Sequence, residues 1–303
     1  MNRSELRLGL SRALEALGDR WSLEVLRLAS ESPRTFSDFS GALELTDTVL
    51  SKRLSHLHER GLLDRAAYSE RPLRWRYAAT DRTLDLWKPR LATWRWDRTW
   101  VPRADAHRVQ VVHATCGKSV VPAFGCGACE AIGLTPHDVR SELTEQLRAE
   151  LNHPASKRIT RLAARPHIDA ISLLGDSWSV ALLGSVLLGN RSFSELRRIL
   201  GTISTATLSE KLQRFVAVEL LVREAPDGQR RAHYRATPKT LDFFPIFATL
   251  IEWSRDWADP VGMRFIHTQC DSELLPRYTC NSCNRAMRRS TTLFVTTPLP
   301  TTA

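Results

Sequence analysis

Two divergent copies of one unit follow each other in the sequence, and this duplication limits the fold more than any other feature. Gly-Asp-Arg-Trp-Ser at 18–22 returns as Gly-Asp-Ser-Trp-Ser at 175–179, so that Trp21 and Trp178 are 157 positions apart. Three further motifs return in the same order: Phe-Ser-Asp, Leu-Ser-Lys-Arg-Leu and Leu-Leu-Asp-Arg of copy 1 become Phe-Ser-Glu, Leu-Ser-Glu-Lys-Leu and Leu-Leu-Val-Arg of copy 2. A chain of 303 residues has room for two such domains with cores of their own.

Apolar spacing within one copy predicts the order of its elements. Four helices come first, and the fourth is expected to begin after Thr46, to carry Leu50, Leu54 and Leu57 on one face, and to end at Gly61. Two strands at 62–68 and 74–80 follow around a proline-containing turn, and a long tryptophan-rich helix closes the unit. The predicted fold class is α+β, mostly α, with two tandem winged helix-turn-helix domains.

These landmarks resemble the HxlR-type transcriptional regulators, relatives of the MarR group. The resemblance rests on the Leu-Gly-Asp-x-Trp turn, the Phe-Ser-(Asp/Glu) helix start, the Leu-Ser-x-(Arg/Lys)-Leu helix and the Leu-Leu-x-Arg and Tyr-x-x-Thr motifs, and it covers about residues 8–100 and 165–257. It implies a DNA-binding regulator that acts as a homodimer, with one winged helix on each half-site. Many members carry a sensing cysteine at the start of the first helix, where this chain has Leu8 and Arg165. Thiol sensing at that position is therefore not expected.

The charge balance is consistent with a polyanionic partner. Lys and Arg number 43 against 33 Asp and Glu, which gives a net charge of +10 and a pI near 9.8. The N-terminus has no apolar core typical of a signal peptide, and the most apolar run, 171–189, is interrupted by Asp176 and Ser177. We expect a cytoplasmic protein in which this run forms a buried pair of helices and spans no membrane.

The fourth helix of each copy is predicted to enter the major groove of double-stranded DNA, and the hairpin or wing to contact phosphates. Counting 100° per residue from Leu50 and from its counterpart Leu208 selects the outward faces. The predicted contacts are Thr48, Ser51, Lys52, Ser55, His56, Arg71, Arg74 and Arg76 in copy 1, and Ala206, Ser209, Glu210, Gln213, Arg214, Arg230 and Arg231 in copy 2, where His233 also lies near the wing. Because Glu210 replaces Lys52, the copies are expected to bind different half-sites, copy 2 more weakly. The tryptophans and phenylalanines of the final helices are expected to pack in the core or between copies.

The same spacing of histidine and cysteine, H-x2-C-x9-C-x2-C, follows the final helix of each copy. The candidate metal ligands are His113, Cys116, Cys126 and Cys129 in copy 1 and His267, Cys270, Cys280 and Cys283 in copy 2. Each set is predicted to hold one structural zinc ion, since two close pairs can converge on a tetrahedral ion and four protein ligands leave no open position. Buried reduced thiols and a redox-active Cys-x-x-Cys pair remain alternatives.

Together the patterns predict a non-enzymatic DNA-binding regulator, a repressor in the simplest case, which uses both winged helices as a monomeric pseudo-dimer on an asymmetric or imperfectly palindromic operator. A homodimer and an unidentified small-molecule effector are both compatible with the sequence. The alternative is a zinc-ribbon adaptor, or a redox- or metal-responsive switch, with weak DNA binding.

The predicted domains are a winged helix at 5–104, a Cys3His zinc-ribbon-like module at 107–133, a helical linker at 134–164 with its helix over 135–151, a second winged helix at 165–260, a second module at 261–287 and a disordered tail at 288–303.

Overall fold

The structure is a computed structural model, and it describes residues 14, 17–102, 109–143, 168–187, 189, 191–201, 203–224, 233–257 and 263–296. Everything below concerns these ranges. Among them, no helix combines the length and the apolar character that crossing a bilayer demands.

Copy 1 has the predicted winged helix-turn-helix order. Leu14 and Leu17 are helical and buried. The elements that follow are α1 (Arg20–Ala29), β1 (Arg34–Thr35), α2 (Phe36–Ala42), α3 (Asp47–Glu59), β2 (Leu63–Glu70), β3 (Leu73–Ala79), α4 (Asp81–Leu84) and α5 (Trp87–Trp100). The three strands form one antiparallel sheet in the order β1-β3-β2. Thr35 caps α2 in a reciprocal capping box with Asp38, whereas Thr46 stands at the start of α3 without a side-chain cap bond.

Copy 2 repeats this order. Its elements are α6 (Ala170–Leu174), α7 (Ser177–Leu187), α8 (Phe193–Leu200), α9 (Thr205–Ala217), β8 (Leu221–Glu224), β9 (His233–Ala236), α10 (Pro238–Leu241) and α11 (Phe244–Trp257). A single bridge between Ser192 and His233 replaces the pairing of β1 with β3. The apolar run 171–189 folds as the helix pair α6 and α7, as the sequence predicts.

The final helices of the two copies, α5 and α11, pack against each other. Trp96 and Trp253, which are counterparts, are 1% and 3% exposed, which confirms the predicted packing role for this pair, whereas Trp257 at the end of α11 is 39% exposed. Four indole N–H groups donate across the contact in two equivalent pairs: Trp96 to the Lys239 carbonyl (2.8 Å) and Trp253 to the Arg82 carbonyl (2.8 Å), then Trp100 to Asp242 Oδ2 (3.0 Å) and Trp257 to Asp85 Oδ2 (3.1 Å). The contact is reciprocal, because each copy supplies the same donors and the same acceptor positions to the other.

Beyond these helices the copies exchange strands. Copy 1 supplies β4 (Val109–His113), β5 (Lys118–Ser119), β6 (Ala123–Cys126) and β7 (Val139–Leu143), and copy 2 supplies β10 (Met263–His267), β11 (Ser272–Glu273), β12 (Pro276–Thr279) and β13 (Thr292–Thr296). Three antiparallel pairings cross between the copies: β4 with β13, β7 with β10, and β6 with β12. Phe124 of β6 faces Tyr278 of β12, with ring centroids 5.6 Å apart. The two cysteine-containing segments are therefore one interlocked structure.

Two predictions about the connecting segments are wrong. The helix predicted from residue 135 is replaced by a short 3-10 turn, Pro136–Asp138, and by β7; residues 144–167 lie outside the described ranges. The tail predicted to be disordered from residue 288 instead contains a 3-10 turn, Arg289–Thr291, and β13; residues 297–303 again lie outside. In both places an extended segment satisfies its backbone groups by pairing with a strand of the other copy, a partner that local sequence does not reveal.

Candidate nucleic-acid interface and metal centres

The outward face of α3 carries the predicted DNA-contacting residues of copy 1. Leu50, Leu54 and Leu57 are completely buried, which fixes the rotation of the helix. All five predicted contacts on α3 are exposed: Thr48, Ser51, Lys52, Ser55 and His56. Desolvation, followed by the charge of Arg60, lowers the pKa of His56, so its ring is neutral near pH 7 and offers hydrogen bonds in place of a full charge.

The wing of copy 1 adds a second basic surface. Arg71, Arg74 and Arg76 are exposed on the β2–β3 hairpin, and in the described part of the chain no carboxylate lies within 4 Å of their guanidinium groups. The Arg76 guanidinium lies 5.6 Å from the Tyr68 ring centroid, which orients it along the hairpin. Among the described residues, these three guanidinium groups therefore form an exposed basic surface without a carboxylate partner.

The corresponding helix of copy 2, α9, presents a different surface. Ala206, Glu210 and Gln213 are exposed as predicted, whereas Ser209 and Arg214 are half-buried. The predicted wing residues Arg230 and Arg231 lie outside the described residues. What the structure describes of this wing is β8 and β9, where Arg235 pairs with Glu224 at 2.8 Å. The exposed face of α9 is therefore less basic than that of α3, because Glu210 stands where α3 has Lys52.

An ion pair that the sequence reasoning missed holds each of these helices in place. In copy 1, Asp19 accepts the backbone N–H of Trp21 at 3.1 Å, which caps α1, and also pairs with the Arg53 guanidinium of α3 at 2.5 Å. Gly18, with φ of +88°, makes this turn possible, because a Cβ there would lie 2.7 Å from the Ser22 hydroxyl.

In copy 2 the same pair joins Asp176 to Lys211 of α9, and it is far more buried. The side chains of Asp176 and Lys211 are 2% and 11% exposed, against 21% and 26% for those of Asp19 and Arg53. The signal was available in the sequence, since both copies keep an aspartate in the Gly-Asp-x-Trp-Ser turn and a cation just before the second leucine of Leu-Ser-x-(Arg/Lys)-Leu.

The eight candidate metal ligands form two clusters, but not those predicted. One cluster contains His113 and Cys116 of copy 1 with Cys280 and Cys283 of copy 2; the other contains Cys126 and Cys129 of copy 1 with His267 and Cys270 of copy 2. The prediction that each copy closes a site with its own four ligands is therefore wrong. The reason is the strand exchange: β6 and β12 pair with each other and carry each Cys-x2-Cys pair to the other copy's His-x2-Cys pair.

The geometry of both clusters fits a tetrahedral ion. Two sulfurs bound at about 2.3 Å to such an ion lie about 3.8 Å apart, and a sulfur and a nitrogen slightly closer. Cys116 Sγ lies 3.9 Å from Cys280 Sγ and 3.6 Å from His113 Nδ1, and Cys283 Sγ lies 3.3 Å from the same nitrogen. In the second cluster, His267 Nδ1 lies 3.3 Å from Cys129 Sγ and 3.2 Å from Cys270 Sγ.

Local hydrogen bonds favour the thiolate form of one cysteine in each cluster. Desolvation raises the pKa of Cys270, but hydrogen bonds from the Ser272 backbone and from His267 outweigh it and set the pKa at about 7. Desolvation also raises the pKa of Cys280, but backbone hydrogen bonds from Cys283 and Ser282 outweigh it, so the pKa of Cys280 is lowered. Thiolate is the form that binds metal ions, so the lowered pKa values of Cys270 and Cys280 agree with the geometry. Despite a backbone hydrogen bond that favours the thiolate, desolvation and hydrogen bonds with neighbouring cysteines raise the pKa of Cys129 and Cys283.

Comparison with known proteins gives the following matches. The sequence profile of the family described as HxlR-like helix-turn-helix matches the chain twice, over residues 16–105 and 173–261. Uncharacterised HTH-type transcriptional regulators of Mycobacterium tuberculosis and Mycobacterium bovis are each 35% identical over 120 residues, which is 40% of this chain and 76% of the relative. The HTH-type regulator YvaP of Bacillus subtilis is 28% identical over 92 residues, 30% of this chain and 85% of the relative. A solved structure of a proposed transcription factor from Pseudomonas aeruginosa is 32% identical and covers 41% of this chain and 84% of its own, with a TM-score of 0.31.

Proposed function

The chain belongs to the HxlR-like helix-turn-helix family, and from this premise we propose that it is a transcriptional regulator that binds one DNA operator with both of its winged helices. The observation that carries the proposal is the occurrence of two winged helices with outward-facing polar recognition surfaces on one chain, joined by the reciprocal α5–α11 contact. Named relatives are HTH-type transcriptional regulators, which agrees with this role.

The two half-sites are proposed to differ. Lys52 and the wing arginines of copy 1 suit phosphates and acceptor atoms in the major groove, whereas Glu210 repels phosphates and can accept a hydrogen bond from the cytosine N4 amino group. The operator would then be an asymmetric or imperfect palindrome with half-sites about one helical turn apart. A chain that covers both half-sites would block access to the promoter, so repression is the proposed outcome.

We propose that the active form is a single chain. The two copies of one chain already contact each other through four indole hydrogen bonds and three strand pairings, which supports this proposal. Light scattering of the DNA complex should give one chain per operator. A complex with two chains and four winged helices would contradict this part of the proposal.

Selection from a random DNA pool tests the function directly. The intact chain should enrich a bipartite site with two unlike halves. The Lys52→Ala variant should lose sequence information in one half and the Glu210→Ala variant should change preference only in the other, each serving as the control for its counterpart. If the intact chain enriches no sequence, the regulator proposal fails; normal metal content in the same preparation would then favour the adaptor alternative.

The metal proposed for both clusters is zinc in a structural role. Three cysteines and one histidine fill a tetrahedral ion, and the two histidines are each only 1% exposed, which suits a closed site better than a catalytic one. Because each cluster takes two ligands from each copy, every bound ion would join the copies. The zinc ions would therefore hold the relative positions of the two winged helices as well as their own hairpins.

Two double variants distinguish the crossed arrangement from one site per copy. Cys116→Ser with Cys280→Ser removes two ligands of one crossed cluster, so one zinc per chain should remain. Cys116→Ser with Cys126→Ser damages both crossed clusters, so both ions should be lost. Metal analysis of purified protein measures the result, and the reverse pattern would show that each copy closes its own site.

A further inference from the structure

A cavity of about 390 Å³ lies where copy 1's winged helix meets the exchanged strand of copy 2. Its walls come from α1, α4 and α5 of copy 1 and from α6, α11 and β13 of copy 2. Most of the lining is apolar, with Leu23, Leu26, Trp87, Ile171 and Phe294 among the contributors. This volume lies in the range of sites for small organic molecules.

The polar part of the lining is dominated by positive charge. The Glu31 carboxylate accepts from Arg90 at 2.9 Å, from Arg27 at 3.1 Å and from Arg34 at 3.4 Å, so one anion is shared by three guanidinium groups. Arg27 has a second partner, Glu24, at 2.9 Å. The shared carboxylate leaves positive charge in excess beside the apolar walls.

Arg90 is the least exposed of the three arginines that line the cavity. Its guanidinium lies 4.1 Å from the Phe294 ring centroid, and its side chain is only 20% exposed. Desolvation lowers the pKa of Arg90 to about 10, an effect that Glu31 only partly offsets. The remaining lining arginine, Arg289, is directed to carboxylates outside the cavity lining, Asp85 at 2.9 Å and Asp81 at 3.2 Å.

The counterpart positions in copy 2 have lost this chemistry. Arg90 corresponds to Phe247 and Trp87 to Phe244, which are 1% and 2% exposed, and Arg27 corresponds to Gly184. Aromatic side chains pack there against Phe243 and Phe265, with ring centroids 5.2 Å apart in each pair. The positions of copy 2 that correspond to Arg90 and Trp87 of the cavity wall therefore carry packed aromatic side chains instead.

We propose that this cavity binds a small aromatic organic acid, whose ring occupies the apolar walls and whose carboxylate pairs with Arg90. The regulatory part of this inference rests on the proposed DNA-binding function. A molecule in the cavity contacts α1, whose capping residue Asp19 holds Arg53 of α3, and it also contacts β13, which pairs with β4 up to His113. An acid that binds the DNA-free arrangement more tightly would lower DNA affinity, and DNA would lower acid affinity by the same factor.

Calorimetry with 2-naphthoate and its neutral analogue 2-naphthamide tests the binding without DNA. We expect the intact chain to bind the acid at least ten-fold more tightly than the amide. Arg90→Gln should remove this preference, and Arg90→Phe, which places in copy 1 the side chain of copy 2, should remove binding of both compounds. Arg95→Gln is the matched control, since Arg95 lies on the same helix, pairs with Asp242 at 3.9 Å and does not line the cavity.

The outcomes distinguish failure of the proposed binding site from failure of the proposed regulator function. Failure of 2-naphthoate to bind the intact chain, or equal effects of Arg90→Gln and Arg95→Gln, would overturn the site. With binding established, DNA affinity is measured with and without saturating 2-naphthoate, and a change that Arg90→Gln abolishes supports the effector role. If the chain binds 2-naphthoate but selects no DNA sequence, the binding site is supported and the regulator function is rejected. If DNA binding is selective but 2-naphthoate leaves it unchanged, only the effector role is rejected.

Discussion

The two copies share one fold but bury different chemistry in it. In copy 1, the final helix α5 buries Pro89, Leu91, Ala92 and Trp96 and keeps charged residues along much of its length. In copy 2, ten of the fourteen residues of α11 are buried, so this helix forms the apolar centre between the copies. Copy 2 therefore supplies more of the apolar packing between the copies, whereas copy 1 supplies Arg27 and Arg90 to the cavity wall.

The paired aspartates of the two helix-turn-helix motifs give the sharpest test of this difference. Asp19→Asn and Asp176→Asn each remove a charge while keeping a residue that can cap the helix. Asp176→Asn leaves Lys211 buried without its counter-ion and should cost about 3–5 kcal/mol of stability, whereas Asp19→Asn breaks a partly exposed pair and should cost about 1 kcal/mol or less. Urea unfolding, with hydrogen exchange to locate the loss in α9 or α3, measures both.

A further variant separates the charge from the packing. Replacing both partners by Asp176→Asn and Lys211→Met removes the unpaired cation and should recover much of the loss. Equal costs for the two aspartates, or no recovery in the double variant, would mean that burial does not distinguish the copies at this contact.

Local sequence was sufficient for the elements whose partners lie nearby. The buried face of α3 follows from Leu50, Leu54 and Leu57 alone, because helical periodicity places all three on one side of the helix. The repeat predicts the same buried face for α9, where Leu208 and Leu212 are 0% and 1% exposed. The eight candidate metal ligands were also recognisable from their spacing.

The arrangement of those ligands could not be predicted in the same way. A His-x2-Cys pair and a Cys-x2-Cys pair present the same four donors whether they come from one copy or from two, so spacing fits both arrangements equally well. Pairing of β6 with β12 decides between them, and its partners Phe124 and Tyr278 are more than 150 positions apart. The helix predicted from residue 135 failed for a related reason: Thr135 and Asp138 cap a short 3-10 turn, after which β7 pairs with β10 of the other copy.

The smallest expected effect comes from exchanging the charges on the recognition helices. Glu210→Lys should raise DNA affinity several-fold and steepen its dependence on salt, by about one unit in a plot of log affinity against log salt, because one more phosphate is neutralised. Lys52→Glu should do the reverse. Filter binding of the selected operator from about 0.05 to 0.2 M salt measures both slopes. If both copies contact DNA, the variant carrying Glu210→Lys together with Lys52→Glu should recover the original slope. It should also prefer an operator in which the two half-sites have exchanged places. A Glu210→Lys slope identical to that of the unmodified chain would mean instead that α9 does not approach phosphates, and that the difference between the copies extends to DNA binding by copy 1 alone.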